Sequence, residues 1–239
     1  DSRFIAASQA AAKEDLPSAV QLLDDLANDF PRNPDLATIR ATFALRQDDT
    51  EKAVKLARGA VVTFPNHAGG NAVLGKALLE AGQASDAIPY LEKSITLDSS
   101  QPEPKRDLAG IYAKEGNTER AELLYKRVLK SEPNDADTIL ALTKIYELRG
   151  NDLLARDALE DAHREFPDNS MIAIALARDL QRDGDIENAI RTAEHSLISG
   201  GQDKDTLSLL ATLHREAGNA DEAALFEKRA EEAESTASP

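Results

Sequence analysis

The 239-residue chain contains no cysteine and no tryptophan, and aromatic residues make up only 4% of it. Without thiols, disulfide bonds and thiolate metal sites are excluded, and the sequence leaves both periplasm and cytosol open as compartments. No segment approaches the roughly 20 consecutive apolar residues that span a bilayer, and no basic-then-apolar leader opens the chain. Because the chain starts at Asp1 rather than at a methionine, we interpret it as a mature or excised piece of a longer protein.

Basic residues are also in short supply, since 28 lysines and arginines stand against 43 acidic residues and give a net charge of −15. A chain of this charge repels the phosphates of nucleic acids unless its cations are segregated. We therefore do not expect a nucleic acid partner.

The chain does contain a regular period. Alanine recurs every 34 residues, at Ala19, Ala53, Ala87, Ala121, Ala155, Ala189 and Ala223. A fixed period of about 20 to 50 residues is typical of solenoid proteins. With this alanine numbered position 20, the repeats cover residues 1–33, 34–67, 68–101, 102–135, 136–169, 170–203 and 204–237. We predict one array over residues 1–235 and a frayed tail at 236–239.

Two other positions predict where helices end. Position 15 is occupied by Glu14, Asp48, Gly82, Gly116, Gly150, Gly184 and Gly218, and position 32 by Pro31, Pro65, Ser99, Pro133, Pro167 and Gly201. Glycine closes a helix readily, and proline cannot continue a helix interior. Each repeat is therefore predicted to form two antiparallel helices, with helix A ending at position 15 and helix B near position 32.

The apolar residues between these stops follow helical spacing. Position 7 is leucine in five successive repeats (Leu74, Leu108, Leu142, Leu176 and Leu210), and position 8 is small in most repeats (Ala41, Gly75, Ala109, Ala177 and Ala211). Small residues at positions 8 and 20 allow two helix backbones to approach closely, and the leucine fills the space beside them. These positions are predicted to form the core.

Residues 102–135 carry the fullest version of the pattern: Leu108, Ala109, Tyr112, Gly116, Ala121, Tyr125, Val128 and Pro133. With this pattern in phase in seven repeats, essentially the whole chain resembles the tetratricopeptide repeat family. Two kinds of departure stand out. The usual bulky residue at position 4 is absent from the first four repeats (Arg3, Ala37, Asn71 and Lys105), and the second repeat has Arg40 at the leucine position and Asp48 at the glycine position.

The resemblance implies an all-α fold, a right-handed α-α superhelix of antiparallel helix pairs, acting as a non-enzymatic scaffold for protein–protein interaction. In this family helix A lines the concave surface, and extended segments bind there. Positions 2, 5, 9, 12 and 13 should face this groove. They supply the cations Arg46, Lys76, Arg106, Lys114, Lys144, Arg178, Arg182 and Arg215, and the acids Asp35, Glu80, Glu103, Asp137, Glu147, Asp205 and Glu216.

We hypothesise that repeats four to six bind an acidic or carboxylate-bearing extended partner. Arg106, Lys144, Arg178 and Arg182 would provide charge-assisted hydrogen bonds, and a patch of Leu140, Met171 and Ile174 would seat an apolar side chain. Lys76 and Arg215 would extend the same wall. The competing interpretation is that these cations are solvated helix residues that pair with acids on the same helix.

Nothing in the sequence predicts chemistry. The four histidines, His67, His163, His195 and His214, lie in different repeats without metal-ligand spacing, and His214 occupies the packed position 11. We expect no catalytic site, no metal and no cofactor. Two alternative roles remain for the array: a periplasmic scaffold of a bacterial exopolysaccharide assembly or secretion system, whose groove contacts a protein or an acidic polysaccharide, and a self-associating module that forms homo-oligomers.

Overall fold

A computed structural model of the chain describes residues 2–13, 15–198 and 204–236. These residues form fourteen α-helices and no strand. The helices are α1 (Ser2–Ala12), α2 (Leu16–Asp29), α3 (Pro34–Arg46), α4 (Thr50–Thr63), α5 (Ala68–Glu80), α6 (Ala84–Leu97), α7 (Glu103–Lys114), α8 (Thr118–Ser131), α9 (Ala136–Leu148), α10 (Asp152–Glu165), α11 (Ser170–Arg182), α12 (Ile186–Ile198), α13 (Lys204–Glu216) and α14 (Ala220–Thr236). The predicted all-α fold of seven helix pairs is confirmed.

The helices belong to two compact units, Asp1–Ser131 with α1 to α8 and Glu132–Pro239 with α9 to α14. Within each unit, every odd-numbered helix packs against the even-numbered helix that follows it, and that helix contacts the next odd-numbered one. Because the connections are short, neighbouring helices are antiparallel. Each odd-numbered helix therefore corresponds to helix A of a repeat, and each even-numbered helix to helix B.

The turn from helix A to helix B repeats with the sequence. Position 15 has a positive φ at Gly82, Gly116, Gly150, Gly184 and Gly218, and also at Asp48, whose φ is 56°. In the turn of Gly116, the backbone N–H of Asn117 donates to the carbonyl of Tyr112 at 2.8 Å and closes the end of α7. Glycine adopts this left-handed conformation without strain, so the predicted end of helix A is confirmed. Glu14, the equivalent residue of the first repeat, lies outside the described residues.

The predicted end of helix B is confirmed as well. Helices α2, α4, α8 and α10 each end two residues before a proline, namely Pro31, Pro65, Pro133 and Pro167. The proline inside α6, Pro89, lies near the start of that helix and removes a single backbone hydrogen bond there.

The core is built on the close approach of helices. All seven recurring alanines are buried, with at most 4% of their surface exposed. At position 8 of the third repeat, a β-carbon added to Gly75 would lie 2.5 Å from Cδ2 of Leu91, which is closer than two carbon atoms can pack. The leucines at position 7 are buried beside these contacts. The core positions predicted from the period are confirmed.

The departures in the second repeat are accommodated locally. Arg40, at the leucine position, is half-buried, and its Nε donates to Oδ1 of Asp24 on α2 at 2.6 Å. Asp48, at the glycine position, takes up the left-handed conformation that the turn requires, although a side chain with a β-carbon disfavours it.

Exchanging residues at position 15 tests this turn chemistry. We expect Asp48→Gly to raise the free energy of unfolding by about 1 kcal/mol, because glycine removes the cost of the left-handed conformation. Gly116→Ala should lower the free energy of unfolding by about the same amount. An added β-carbon meets no atom within 4 Å, so the cost is that of holding alanine in the left-handed conformation. The urea midpoint of each variant measures the effect, and equal midpoints for all three proteins would contradict it.

Candidate functional site

Helices α9, α10 and α11 of the second unit form a groove of about 560 Å³. Its lining residues are Leu140, Thr143, Lys144, Glu147, Leu159, Ala175, Arg178, Gln181 and Arg182. Five of them, Leu140, Lys144, Glu147, Arg178 and Arg182, are residues that the repeat positions placed on the inner wall. They meet because Leu140 and Lys144 are four residues apart on α9, and Arg178 and Arg182 are four apart on α11, which puts each pair on one helix face.

The groove combines an apolar base with a charged rim. Leu159 is 1% exposed and Leu140 is half-buried, and Ala175 adds a small side chain on α11. Lys144, Arg178 and Arg182 are exposed around this base. Such a mixture suits a ligand with one apolar side chain and nearby negative charge.

Glu147 neutralises part of this positive charge. Its Oε2 accepts from Nζ of Lys144 at 3.0 Å, and its Oε1 accepts from Nη2 of Arg182 at 2.7 Å. Burial by itself would raise the pKa of Glu147, but the hydrogen bonds from Lys144 and Arg182 outweigh it and hold the pKa below its ordinary value. Glu147 thus holds two of the rim cations in place.

Beneath the rim lies a charge network that the sequence reasoning missed. Asp179 on α11 is 5% exposed, and its carboxylate accepts from Nε of Arg156 on α10 at 2.6 Å and from Nη2 of Arg182 at 2.7 Å. Arg156 also bonds to Asp183, which lowers the pKa of that carboxyl. These bonds satisfy the buried Asp179 carboxylate and give Arg182 a second acidic partner. The only sequence signal was an acid at position 10, between the packed positions 8 and 11.

Arg178 differs from the other two rim cations. Among the residues that the structure describes, none forms a hydrogen bond or an ion pair with its guanidinium. Because Arg178 is exposed and its donors are unoccupied by protein groups, it is the rim cation best placed to contact a ligand.

The two remaining apolar residues of the predicted patch do not line this groove. Met171 is 45% exposed near the start of α11. Ile174 is half-buried and packs against the apolar core around α11 to α14. Leu140 is therefore the residue of the patch that the groove contains.

The other predicted cations lie elsewhere. Arg215 on α13 forms an ion pair with Glu227 on α14, beside a separate cavity of the second unit. In the first unit, Nζ of Lys76 lies 4.0 Å from Oε1 of Glu80, and Arg106 is half-buried on α7. The neighbouring Asp107 has a pKa raised by burial, and the charges of Lys76 and Arg106 oppose that rise. Both first-unit cations thus have an acid nearby.

Among the described residues, no group of three or more histidine, cysteine, aspartate or glutamate side chains is arranged to hold a metal ion. No described helix combines the length and the apolar character needed to cross a membrane. His214 is 7% exposed and stacks on Phe226, as its packed position predicts.

Helix pairs with a 34-residue period, a glycine turn between the two helices and a groove on the helix A faces define a repeat protein built from antiparallel helix pairs. Comparison with known families agrees: models described as tetratricopeptide repeat match residues 78–145, and residues 6–70 and 174–239. The chain belongs to the tetratricopeptide repeat family. Members of this family are generally non-catalytic, and the repeats make the chain a scaffold for protein interaction.

Three similar proteins illustrate the relationship. Cellulose synthase operon protein C of Xanthomonas axonopodis pv. citri (strain 306) is 26% identical over 188 residues, covering 75% of this chain and 12% of the relative. Photosystem I assembly protein Ycf3 of Prochlorococcus marinus (strain NATL1A) is 31% identical over 123 residues, covering 49% of this chain and 70% of the relative. The chain therefore spans only a small part of the cellulose synthase operon protein.

A solved structure shows the same fold. The tetratricopeptide repeat protein of Parabacteroides merdae ATCC 43184 superposes with a TM-score of 0.69 at 18% identity, covering 97% of this chain and 91% of that chain. At this level of identity the likeness concerns the arrangement of the helices.

The pairing of Glu147 predicts a pH effect. Because its pKa is lower in the folded protein, Glu147 stabilises the fold at pH values above its ordinary pKa, and this contribution is lost as the pH falls through the folded pKa. We expect Glu147→Gln to lower the urea midpoint by more at pH 7 than at pH 3. A deficit of the same size at both pH values would contradict this account.

Proposed function

We propose that the groove of α9, α10 and α11 binds an extended protein segment that carries a carboxylate next to an apolar side chain. The observation behind this proposal is the Arg178 guanidinium, which has no partner among the described residues and lines the groove together with the half-buried Leu140. An arginine with free donors binds a carboxylate through two parallel hydrogen bonds.

The charge balance of the lining favours an acidic partner. Lys144, Arg178 and Arg182 line the groove with one carboxylate, that of Glu147. The Asp179 carboxylate below them is already engaged by Arg156 and Arg182. The groove is therefore positive although the whole chain has a net charge of −15, and it attracts an acidic segment while the outer surface repels one.

The shape of the site favours an extended segment over a compact ligand. The cations lie on two parallel helix A faces, those of α9 and α11, and each face presents residues at one-turn spacing. An extended chain that crosses both faces can contact Arg178 and Lys144 while one of its side chains occupies the space over Leu140. This is the way in which concave repeat surfaces bind partners.

Charge-removing variants of the groove test this function. The purified chain, immobilised and incubated with lysate of its native host, should capture partner proteins. The Lys144→Ala/Arg178→Ala variant should release the same proteins at a lower salt concentration than the unmodified chain does. Loss of two charge-assisted hydrogen bonds is expected to weaken binding of an eluted partner about tenfold or more. Glu147→Gln should strengthen it, because Lys144 and Arg182 lose their acidic partner.

A matched control changes the same number of charges away from the groove. Lys126 pairs with Glu122 on α8, and Arg164 pairs with Asp161 on α10, and neither residue lines the groove. Lys126→Ala/Arg164→Ala should bind the partner as the unmodified chain does. If both double variants bind equally well, or both weaken equally, the groove is not the binding site.

We also propose, as a second role, that the chain is a periplasmic scaffold of an exopolysaccharide assembly or secretion system. This role is favoured by the similarity to cellulose synthase operon protein C, which extends over 75% of the chain. The positive groove would then contact an acidic segment of another component of the system or an acidic polysaccharide.

Deletion of the gene in the native host tests the second role. We expect secreted exopolysaccharide to fall, and to recover with the unmodified gene but not with Lys144→Ala/Arg178→Ala. Release of the protein by osmotic shock checks the compartment. Unchanged secretion in the deletion strain, or retention of the protein with the cytosolic fraction, would contradict this role.

A further inference from the structure

A different cavity, in the first unit, has several cations and no carboxylate among its described lining residues. It has a volume of about 510 Å³ and is lined by Ile95, Ser99, Ser100, Lys105, Arg127, Lys130 and Ser131. Three of these seven residues are cations and none is a carboxylate, in a chain where acids outnumber bases by 43 to 28. The cavity lies beside the end of α6 and the last turns of α8, and all of its lining residues belong to the first unit.

Lys105 is the unusual member of this set. It occupies position 4, a core position that Ile139 and Leu207 fill in other repeats, and only 5% of its surface is exposed. Its aliphatic stem can pack in the core while the ammonium group reaches the cavity. No residue in the described part of the chain forms a hydrogen bond or an ion pair with that ammonium. The ammonium is not among the fully buried side-chain polar atoms that lack a partner, so it is accessible from the cavity that Lys105 lines and can donate to an anion there.

Asp98, a carboxylate on which the charge of Lys105 acts, forms hydrogen bonds within its own loop. Its Oδ1 accepts from the backbone N–H of Ser100 at 2.9 Å and from the Ser100 hydroxyl at 2.6 Å, and its Oδ2 accepts from Nε2 of Gln101 at 2.9 Å. These bonds lower the pKa of Asp98 to about 2, and the charge of Lys105 adds a smaller contribution. Asp98 attracts Lys105 from a distance but does not form an ion pair with it.

Of the three serine hydroxyl groups that line the cavity, two already donate to other protein groups. Ser100 donates to Asp98, and Ser131 donates to the carbonyl of Val128 at 2.9 Å, so neither proton is available to a ligand. Ser99 is exposed, and no described residue accepts from its hydroxyl. The available donors are therefore those of Lys105, Arg127, Lys130 and Ser99.

We propose that this cavity binds a phosphate-class oxyanion, supplied either as free phosphate or as the phosphoryl group of a phosphomonoester. A doubly charged, tetrahedral anion accepts hydrogen bonds on several sides, which matches two ammonium groups, a guanidinium and a hydroxyl lining one space. Arg127 and Ile95 also line a neighbouring cavity of about 460 Å³, whose other lining residues are the apolar Leu108, Leu123 and Leu124 and the polar Glu92, Thr96, Tyr112 and Arg120. The organic part of a monoester would lie over the leucine side chains of this cavity.

Calorimetric titration at low and constant ionic strength tests the proposal, with inorganic phosphate and phenyl phosphate as the two ligands. We expect saturable binding of phosphate by the unmodified chain. Lys105→Met, which keeps the aliphatic stem and removes the charge, should bind phosphate about tenfold more weakly or worse. Tighter binding of phenyl phosphate than of phosphate would identify a phosphomonoester as the ligand, and equal binding would identify free phosphate.

Lys126→Gln is the matched control, because Lys126 lies on α8, pairs with Glu122 and does not line the cavity. It should bind phosphate as the unmodified chain does. The exposed variants Arg127→Gln and Lys130→Gln should each weaken binding, and they do not depend on tolerance of a change in the core. Phosphate should also raise the melting temperature of the unmodified chain, and it should raise that of Lys105→Met by less at the same phosphate concentration.

The proposal would be overturned by the absence of saturable phosphate binding in the unmodified chain. It would also be overturned if Lys126→Gln weakened binding as much as Lys105→Met, because the effect would then follow net charge alone. These outcomes are independent of the groove, whose residues belong to the other unit.

Discussion

The structure depends on the close approach of helix backbones at positions 8 and 20 of each repeat. The recurring alanines are almost fully buried, and at Gly75 even a single β-carbon would meet Leu91 at 2.5 Å. Because the helices touch at these points, the leucine at position 7 is enclosed. The opposite face of helix A makes no such contact and stays accessible. The groove on α9 and α11 is a consequence of this packing, since Leu140, Lys144 and Arg178 lie on the face that does not pack.

The charge of each site is decided by pairing rather than by composition. In the groove, Glu147 and Asp179 engage Lys144 and Arg182, and Arg178 alone of the three rim cations has no described partner. Beside the first-unit cavity, Asp98 is occupied by loop hydrogen bonds, and no described residue forms a hydrogen bond or an ion pair with Lys105. Two positive sites can therefore exist in a chain with a net charge of −15, and their cations differ in how available they are to ligands.

Departures from the repeat pattern have different physical outcomes. Arg40 replaces a leucine and is compensated by Asp24, and Asp48 replaces a glycine and adopts the strained turn conformation. Lys105 replaces a bulky core residue without a compensating acid, and it lines a cavity with two other cations. Arg40 is therefore a local adjustment of the fold, whereas Lys105, which pairs with no described acid, marks a candidate ligand site.

Much of the fold could be read from the sequence, because helix ends and helix faces depend on local chemistry. Gly116 and its equivalents end helix A, Pro133 and its equivalents follow helix B, and the period places Leu140, Lys144, Arg178 and Arg182 on one wall. The tertiary structure alone decided which of these cations are paired. Arg156 and Asp179 are 23 residues apart, and the first-unit cavity brings Lys105 of α7 next to Arg127 and Lys130 of α8. Helical periodicity sets the direction of a side chain, whereas hydrogen bonds and ion pairs require distances between helices that only their packing determines.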